Sequence, residues 1–494
     1  MAAAKPSKKV ASSSSRRKVA GKAAKKVARK AAKTRKSTKA SGPTILLVNM
    51  IPRSLSGEEH QDSEPSIAVN PANPLQIAGS AFTPDPGEGP LGPIYVSTDG
   101  GNTWALNSIL PGATAGFGTF DVTLQFGTKT NVLYAGILRA DSPGNSTRLN
   151  ILRTKSFASA APMTLLVDRL GVDQPYVMVA TVDSGADAGK DRLYVGNNDF
   201  KAPGGRTATI DQSLNAAGAS TNFKSLRIES RKTPQQDGPT VRPAIHADGT
   251  VYAVFHSWRT TSSADIVVVR DDHGGAGATP FTDLLDPGDG KPGIRVVQNT
   301  AFNFNGFLGN QRTGGDVAMT VDPTNSNNVF VAYNADQGSD YILHLLRSTD
   351  RGKTWSEVRT IINALNPALA VNSAGKLGFL YQQLKGTGAA QRWITQVEID
   401  TDGASRRTFV LAKVPTNLSD YVFDPYLGDY EHLMAVGKDF YGVFSTNNTP
   451  KMANFPNGVK YQRNANFTTH TLLAVDNMTP VHSSIDPFFF KVTL

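Results

Sequence analysis

The chain holds no cysteine among its 494 residues, which excludes a disulfide framework and any thiolate metal site. No run of about 18 apolar residues is present, so no helical membrane span is expected. The start lacks the apolar core, ~7–15 residues long, of a secretory signal, and an intracellular location is the expectation. The eight histidines are scattered without zinc spacing. Neither Gly-x-x-x-x-Gly-Lys-Ser/Thr nor Gly-x-Ser-x-Gly occurs. No metal and no cofactor is therefore expected, and Asp286-Pro287-Gly288-Asp289-Gly290 reads as a plain turn rather than a calcium loop.

Acidic residues are absent from residues 1–42, which hold 15 Lys or Arg. Removing that segment leaves 36 basic against 41 acidic groups, so the body carries −5 although the whole chain carries +10. The high pI thus belongs to the terminus, and the body is no basic nucleic-acid binder. Residues 1–43 form a Lys/Ala-rich tail with too little apolar surface to bury, and disorder is expected there. Three readings of the tail stand. It binds nucleic acid or another polyanion through residues 1–42, giving a nucleoid- or nucleus-associated protein; it is a solvated tail without a partner; or it is an organelle-targeting peptide. Ser41-Gly42-Pro43 links it to a folded body over 44–494.

What the body has in plenty is Gly (45) and Pro (29), as many strands joined by turns require. No long amphipathic helical pattern follows residue 43. A polar opener followed by short apolar strands recurs seven times. The openers begin at Asp62-Ser63-Glu64-Pro65, Phe120-Asp121, Asp173-Gln174-Pro175, Arg242-Pro243, Asp316-Val317, Asn366-Pro367 and Asp429-Tyr430. Strands rich in β-branched and aromatic residues follow most of them, Val251–Phe255 and Val329–Tyr333 among them. Such repetition predicts an all-β, seven-bladed β-propeller of four-stranded antiparallel blades, with six blades as the alternative. Thr44–Val48 and Asp486–Val492 are expected to close the ring.

Ser97-Thr98-Asp99-Gly100-Gly101-Asn102-Thr103-Trp104 returns as Ser348-Thr349-Asp350-Arg351-Gly352-Lys353-Thr354-Trp355. In each copy the Asp is placed to accept backbone N–H groups of a turn, Gly supplies positive φ, and Thr and Trp start the returning strand. The pattern resembles the Asp-box, or BNR repeat, of the sialidase superfamily. Glu64-Pro65-Ser66-Ile67-Ala68-Val69-Asn70-Pro71 and Gly428-Asp429-Tyr430 also resemble exo-sialidase-like bacterial proteins. The resemblance spans residues 60–494 and implies a carbohydrate-active propeller hydrolysing terminal glycosidic bonds.

From that resemblance, Tyr430 is the expected nucleophile, Glu64 its base, and Asp121 or Asp173 the acid. Arg242, Arg312, Asp316 and Asp429 are expected to bind substrate in a funnel at one end of the axis. The early Phe/Tyr-Arg-Ile-Pro motif of true sialidases is absent. The residue-level alternative is that each opener carboxylate caps its own turn. The alternative at the level of function is a non-catalytic glycan- or protein-binding propeller tethered to polyanion by its tail.

Overall fold

The structure, a computed structural model, describes residues 42–494 except 83–92, 109–118, 141–146, 160, 232–240, 304–305, 310, 314–315, 339, 401–405 and 417–426. The chain divides into a terminal unit, Met1–Thr44, and a body, Ile45–Leu494. The expected disordered tail lies outside the described residues.

Among the described residues there is no α-helix; strands and three short 3-10 turns make up the regular structure. The first sheet joins Ser63–Val69, Ile77–Phe82, Pro93–Ser97 and Ala105–Ser108 in that order. The second is Thr119–Phe126, Leu133–Ala140, Thr147–Thr154 and Thr164–Leu170. The third is Val172–Thr181, Asp191–Asp199, Thr207–Ser213 and Phe223–Arg227. The fourth is Arg242–Ile245, Val251–Trp258, Ser263–Asp271 and Ile294–Ala301. The fifth is Val317–Val321, Val329–Asp336, Tyr341–Ser348 and Ser356–Ile362. The sixth is Ala364–Val371, Leu377–Lys385, Arg392–Asp400 and Arg406–Pro415. The seventh breaks the sequential order: His432–Val436 and Asp439–Asn447 are followed by the last strand, Ile485–Thr493, then the first, Thr44–Asn49, then Lys460–Tyr461.

Each sheet's leading strand packs against the leading strand of the next, and the seventh returns to the first. These sheets, antiparallel but for the pairing of Thr44–Asn49 with Lys460–Tyr461 in a five-stranded seventh sheet where four strands were expected, stand around an axis in the arrangement of a β-propeller. The apolar residues explain it. Strands such as Val251–Trp258 and Ala364–Val371 are buried along their whole length, so both faces of a sheet need cover. The clusters accordingly lie between neighbouring sheets: Ala68 and Ala78 meet Val122 and Leu124, and Leu380 and Val397 meet Phe440 and Phe444.

Both copies of the repeated octapeptide join the third and fourth strands of their sheets, the first and the fifth. Their hydrogen bonds match. Asp99 Oδ1 accepts the N–H groups of Asn102 and Thr103, both at 3.0 Å, and Asp350 Oδ1 accepts those of Lys353 (3.0 Å) and Thr354 (2.9 Å). Ser97 Oγ and Ser348 Oγ each take an N–H, from Gly101 at 2.9 Å and Gly352 at 2.8 Å. Trp104 and Trp355 donate their indole N–H to the carbonyls of Gly101 (3.1 Å) and Gly352 (3.0 Å). Burial acts to raise the Asp99 and Asp350 carboxyls, but the hydrogen bonds from Thr103 and Thr354 prevail and hold both below the usual range.

A seam joins the two ends of the body. Arg463, fully buried, places Nη1 2.9 and 3.1 Å from the Asp486 oxygens, and its Nη2 donates to the Ser56 and Glu58 carbonyls. Asp486 also accepts from Asn49 (2.5 Å) and Asn448 (2.7 Å). Trp104 of the first sheet meets Phe489 of the last strand edge-on at 5.3 Å.

That contact yields a stability test. Gly101 (φ +87°) and Gly352 (φ +84°) both disfavour a side chain, but a Cβ on Gly101 would run into the Phe489 ring, whereas on Gly352 it meets Leu284 Cδ1 at 3.3 Å. Gly352→Ala should cost about 1–2 kcal/mol in denaturant unfolding, for the left-handed backbone. Gly101→Ala should cost about 1–3 kcal/mol more, for overpacking. Equal losses would mean that the first sheet does not press on the last strand.

Candidate functional site

The leading strands share a device at their starts. Glu64, Gln174 and Asn366 take positive φ (51°, 51° and 54°), each immediately before a proline, and the pairing register slips there, at Ser63/Ser66, Asp173/Tyr176 and Leu365/Ala368. The second sheet slips likewise at Thr119/Val122. A bulge of this kind re-aims one side chain of an otherwise alternating strand. Positive φ in a residue with a Cβ is backbone strain of order 1–3 kcal/mol, which the surrounding structure must hold.

Around these starts the structure gathers most of the expected residues. Tyr430 Oη donates to Asp121 Oδ1 at 2.8 Å. Glu64 Oε1 accepts the backbone N–H of Asp429 at 3.2 Å, and its side chain also hydrogen-bonds Asp121. Arg312 grips the Asp429 carboxylate with Nε and Nη2. Arg242 donates through Nη2 to both oxygens of Asp316 (3.0 and 3.2 Å) and through Nε to the Val317 carbonyl. The Arg242 guanidinium lies 4.1 Å from the Tyr176 ring and 5.1 Å from that of Tyr430. Glu64, Asp121, Arg242, Asp316, Asp429 and Tyr430 are all buried.

The Gly428–Tyr430 turn that brings the seventh sheet to Glu64 is tied from several sides. Gln311 donates to the Gly428 carbonyl at 2.7 Å and accepts from Leu427 N–H, and Asn366 donates to the same carbonyl at 3.1 Å. Gly428 has φ +102°, and a Cβ there would strike the Glu64 backbone nitrogen. Only glycine allows that approach.

Three expectations are corrected. Asp173 does not take the place equivalent to Glu64; Gln174 does, and Asp173 Oδ1 binds the N–H of Gln174 at 2.9 Å as a local turn acceptor. The partner of the Tyr430 hydroxyl is Asp121 rather than Glu64. Arg242 and Arg312 do not present open guanidiniums, because each holds an internal carboxylate. Asp286 likewise serves a structural turn, accepting from Arg295 and from Gly288 N–H.

Electrostatics sharpens the picture. Burial, then the charges of Asp121 and Asp429, push the Glu64 carboxyl well above its usual range. Burial raises Asp121 too, against the bond from Tyr430. Two facing carboxyls of this kind oppose each other's ionisation. Burial, then Asp121 and Glu64, drives the Tyr430 phenol upward, so it is neutral. Burial outweighs Arg242 at Asp316, pushed up to about 6.

Several participants carried no sequence signal as site residues. His432 Nδ1 accepts the Ile67 N–H at 3.1 Å, so the neutral ring bears its proton on Nε2 and donates it to Tyr176 Oη, also at 3.1 Å. Burial, then Arg242, lowers His432 to about 3. Glu431 is 2% exposed, and neither of its carboxyl oxygens has a hydrogen-bond partner among the described residues. With Arg242, Tyr176 and His432 it lines an axial cavity of about 20 Å³, room for one water. The larger axial cavity, about 740 Å³, opens among residues further along the leading strands, such as Met178, His246 and Val371, and none of the eight expected catalytic and substrate-binding residues lines it.

No family model matches the chain, and no curated protein matches it. Solved structures do. The phage phi92 endosialidase is 10% identical with a TM-score of 0.45, covering 91% of this chain and 69% of that one. The Penicillium chrysogenum alpha-L-arabinanase complexed with arabinobiose is 14% identical with a TM-score of 0.41, covering 68% and 93%. YCF48 bound to a D1 peptide is 10% identical with a TM-score of 0.35, covering 74% and 85%. At these identities no residue role passes from them to this chain.

Glu431 provides a pH test. Burial alone raises its carboxyl well above the usual range. The unfolded chain releases that proton above about pH 4.3, while the folded chain keeps it. Stability then falls by about 1.4 kcal/mol per pH unit until the folded group also ionises. Glu431→Gln retains the shape of the protonated acid and escapes that loss. Its melting temperature should exceed that of the parent at pH 8, with the gap closing towards pH 4. A gap independent of pH would show that Glu431 is ionised in the fold.

Proposed function

We propose that the body is a seven-bladed propeller of Asp-box type and a glycoside hydrolase that cleaves terminal bonds of neutral sugars. The observation that carries this reading is the hydrogen-bonded set Tyr430–Asp121–Glu64, a phenol, a carboxylate and a proton-bearing acid. In the step it supports, Tyr430 Oη attacks the anomeric carbon and gives its proton to Asp121. Glu64 protonates the departing glycosidic oxygen as the carbon–oxygen bond breaks. Water then attacks the anomeric carbon and gives a proton to Glu64 as the Tyr430–sugar bond breaks, and Asp121 returns its proton to the departing Tyr430 oxygen. The pairs Arg242–Asp316 and Arg312–Asp429 are each internally neutral, and Glu64 with Asp121 retains one negative charge. Such a site favours a cation-like transition state and disfavours an anionic sugar, so sialic acid is the less suited substrate.

Burial of the same residues favours a second reading, a propeller that binds glycan without turnover. A panel of aryl furanosides, pyranosides and sialosides, assayed with the full chain, separates them. Turnover of a neutral glycoside that drops at least ~10²-fold in both Tyr430→Phe and Asp121→Asn supports hydrolysis. No turnover anywhere on the panel leaves binding as the function.

The tail is proposed to hold the protein on nucleic acid or another polyanion. Its 15 basic residues lie in a stretch without acid, beside a body of net charge −5. Binding to duplex DNA should weaken with a log–log salt slope of about −0.9 per phosphate neutralised. Deleting residues 1–42 should abolish it. A truncated protein that binds equally well would overturn this assignment.

A further inference from the structure

Between the fifth and sixth sheets lies a cavity of about 280 Å³, away from the axial site. Its floor is aromatic, from the buried rings of Phe330 and Phe379, and Val358 at its wall is 48% exposed. Three guanidiniums line it, those of Arg347, Arg359 and Arg406, against the two carboxylates of Glu398 and Asp400.

The charges are unevenly satisfied. Arg359 takes both oxygens of Glu398, and the Arg406 Nε, on a side chain 47% exposed, stands 3.5 Å from the same carboxylate. Arg347 has no carboxylate partner among the described residues. It donates Nη2 to Asn328 Oδ1 at 2.8 Å and holds its guanidinium 5.6 Å from the Phe330 ring, and its buried Nε has no partner. A partly desolvated guanidinium without a carboxylate partner among the described residues, resting on an aromatic ring, calls for an anion. The apolar floor calls for a ligand with an apolar body, and the volume is at the small end for ligand cavities.

We propose that this groove binds a small organic carboxylate with a flat apolar body, held by Arg347 and Arg406 over Phe330 and Phe379. The site is separate from the axial cluster, and binding there does not depend on the hydrolase reading.

The probe is 2-naphthoate, titrated into the full chain by calorimetry beside 2-naphthylmethanol and inorganic phosphate. Naphthoate should bind about tenfold more tightly than the alcohol or phosphate, the weight of one charge-assisted hydrogen bond. Arg347→Gln should weaken it about tenfold. Arg406→Gln, at an exposed position that leaves the fold intact, should weaken it severalfold. Asp121→Asn should leave it unchanged. Equal affinity for acid and alcohol, no saturable naphthoate binding, undiminished binding in Arg406→Gln, or loss in Asp121→Asn would each overturn the proposal.

Discussion

Everything in this body depends on closing a ring with one chain, and the seam is held by a buried ion pair. Arg463 and Asp486 are both fully withdrawn from water. An isolated buried pair stabilises little, because desolvation cancels most of the attraction. Here Arg463 Nη2 reaches Ser56 and Glu58, and the Asp486 oxygens reach Asn49 and Asn448, so the pair ties segments from both ends of the body to one point. Removing either charge would strand the other and release those partners together. The seam thus supplies register more than binding energy. The last strand lies beside Thr44–Asn49 at this point.

Closure also determines what the axis can hold. Each leading strand is hydrogen-bonded on one side only, so its free edge and its re-aimed side chains meet those of the other sheets. His432, in the seventh sheet, takes the N–H of Ile67 in the first, and Glu64 takes that of Asp429. The same bonds that complete the ring fix the candidate chemistry. Strain at Glu64 persists because Gly428 and Asp429 press on it from across the seam. Structure and site are therefore not separable there, whereas the Arg347 groove sits between two sheets without a part in closure.

The spacing of openers and the octapeptide pair made the strand order legible, because turn chemistry and strand composition are local properties. Most of the axial cluster was legible for the same reason: Glu64, Asp121, Arg242, Asp316, Asp429 and Tyr430 all stand at strand starts. Pairings were not legible. Whether Arg242 meets a ligand or Asp316 depends on two loops 74 residues apart in sequence. The choice between Asp173 and Gln174 turned on a bulge, and a bulge shifts the inward-facing position by one residue. The proline was the usable signal, since the residue before it occupies the strained position in three sheets. Glu431 was hidden by its company, in a polar run where a carboxylate looks solvated. Arg347 was hidden because its strand reads as ordinary apolar alternation.

The balance of charge at the axis follows from burial more than from residue count. Five carboxyl groups and two guanidiniums converge, Glu431 among them, but water is nearly excluded, so each ion must find a counter-ion or lose its charge. Arg242 and Arg312 consume two carboxylates. The remaining three, Glu64, Asp121 and Glu431, are all pushed upward by burial, and the phenol stays neutral beside them. In the proposed reading, Glu64 is the proton donor and Asp121 takes the proton of Tyr430. No arrangement with free arginines would leave the pair in complementary states, because a nearby unpaired cation would ionise Glu64 as well. The internal ion pairs that occupy these arginines are thus what the proposed division between proton donor and proton acceptor rests on.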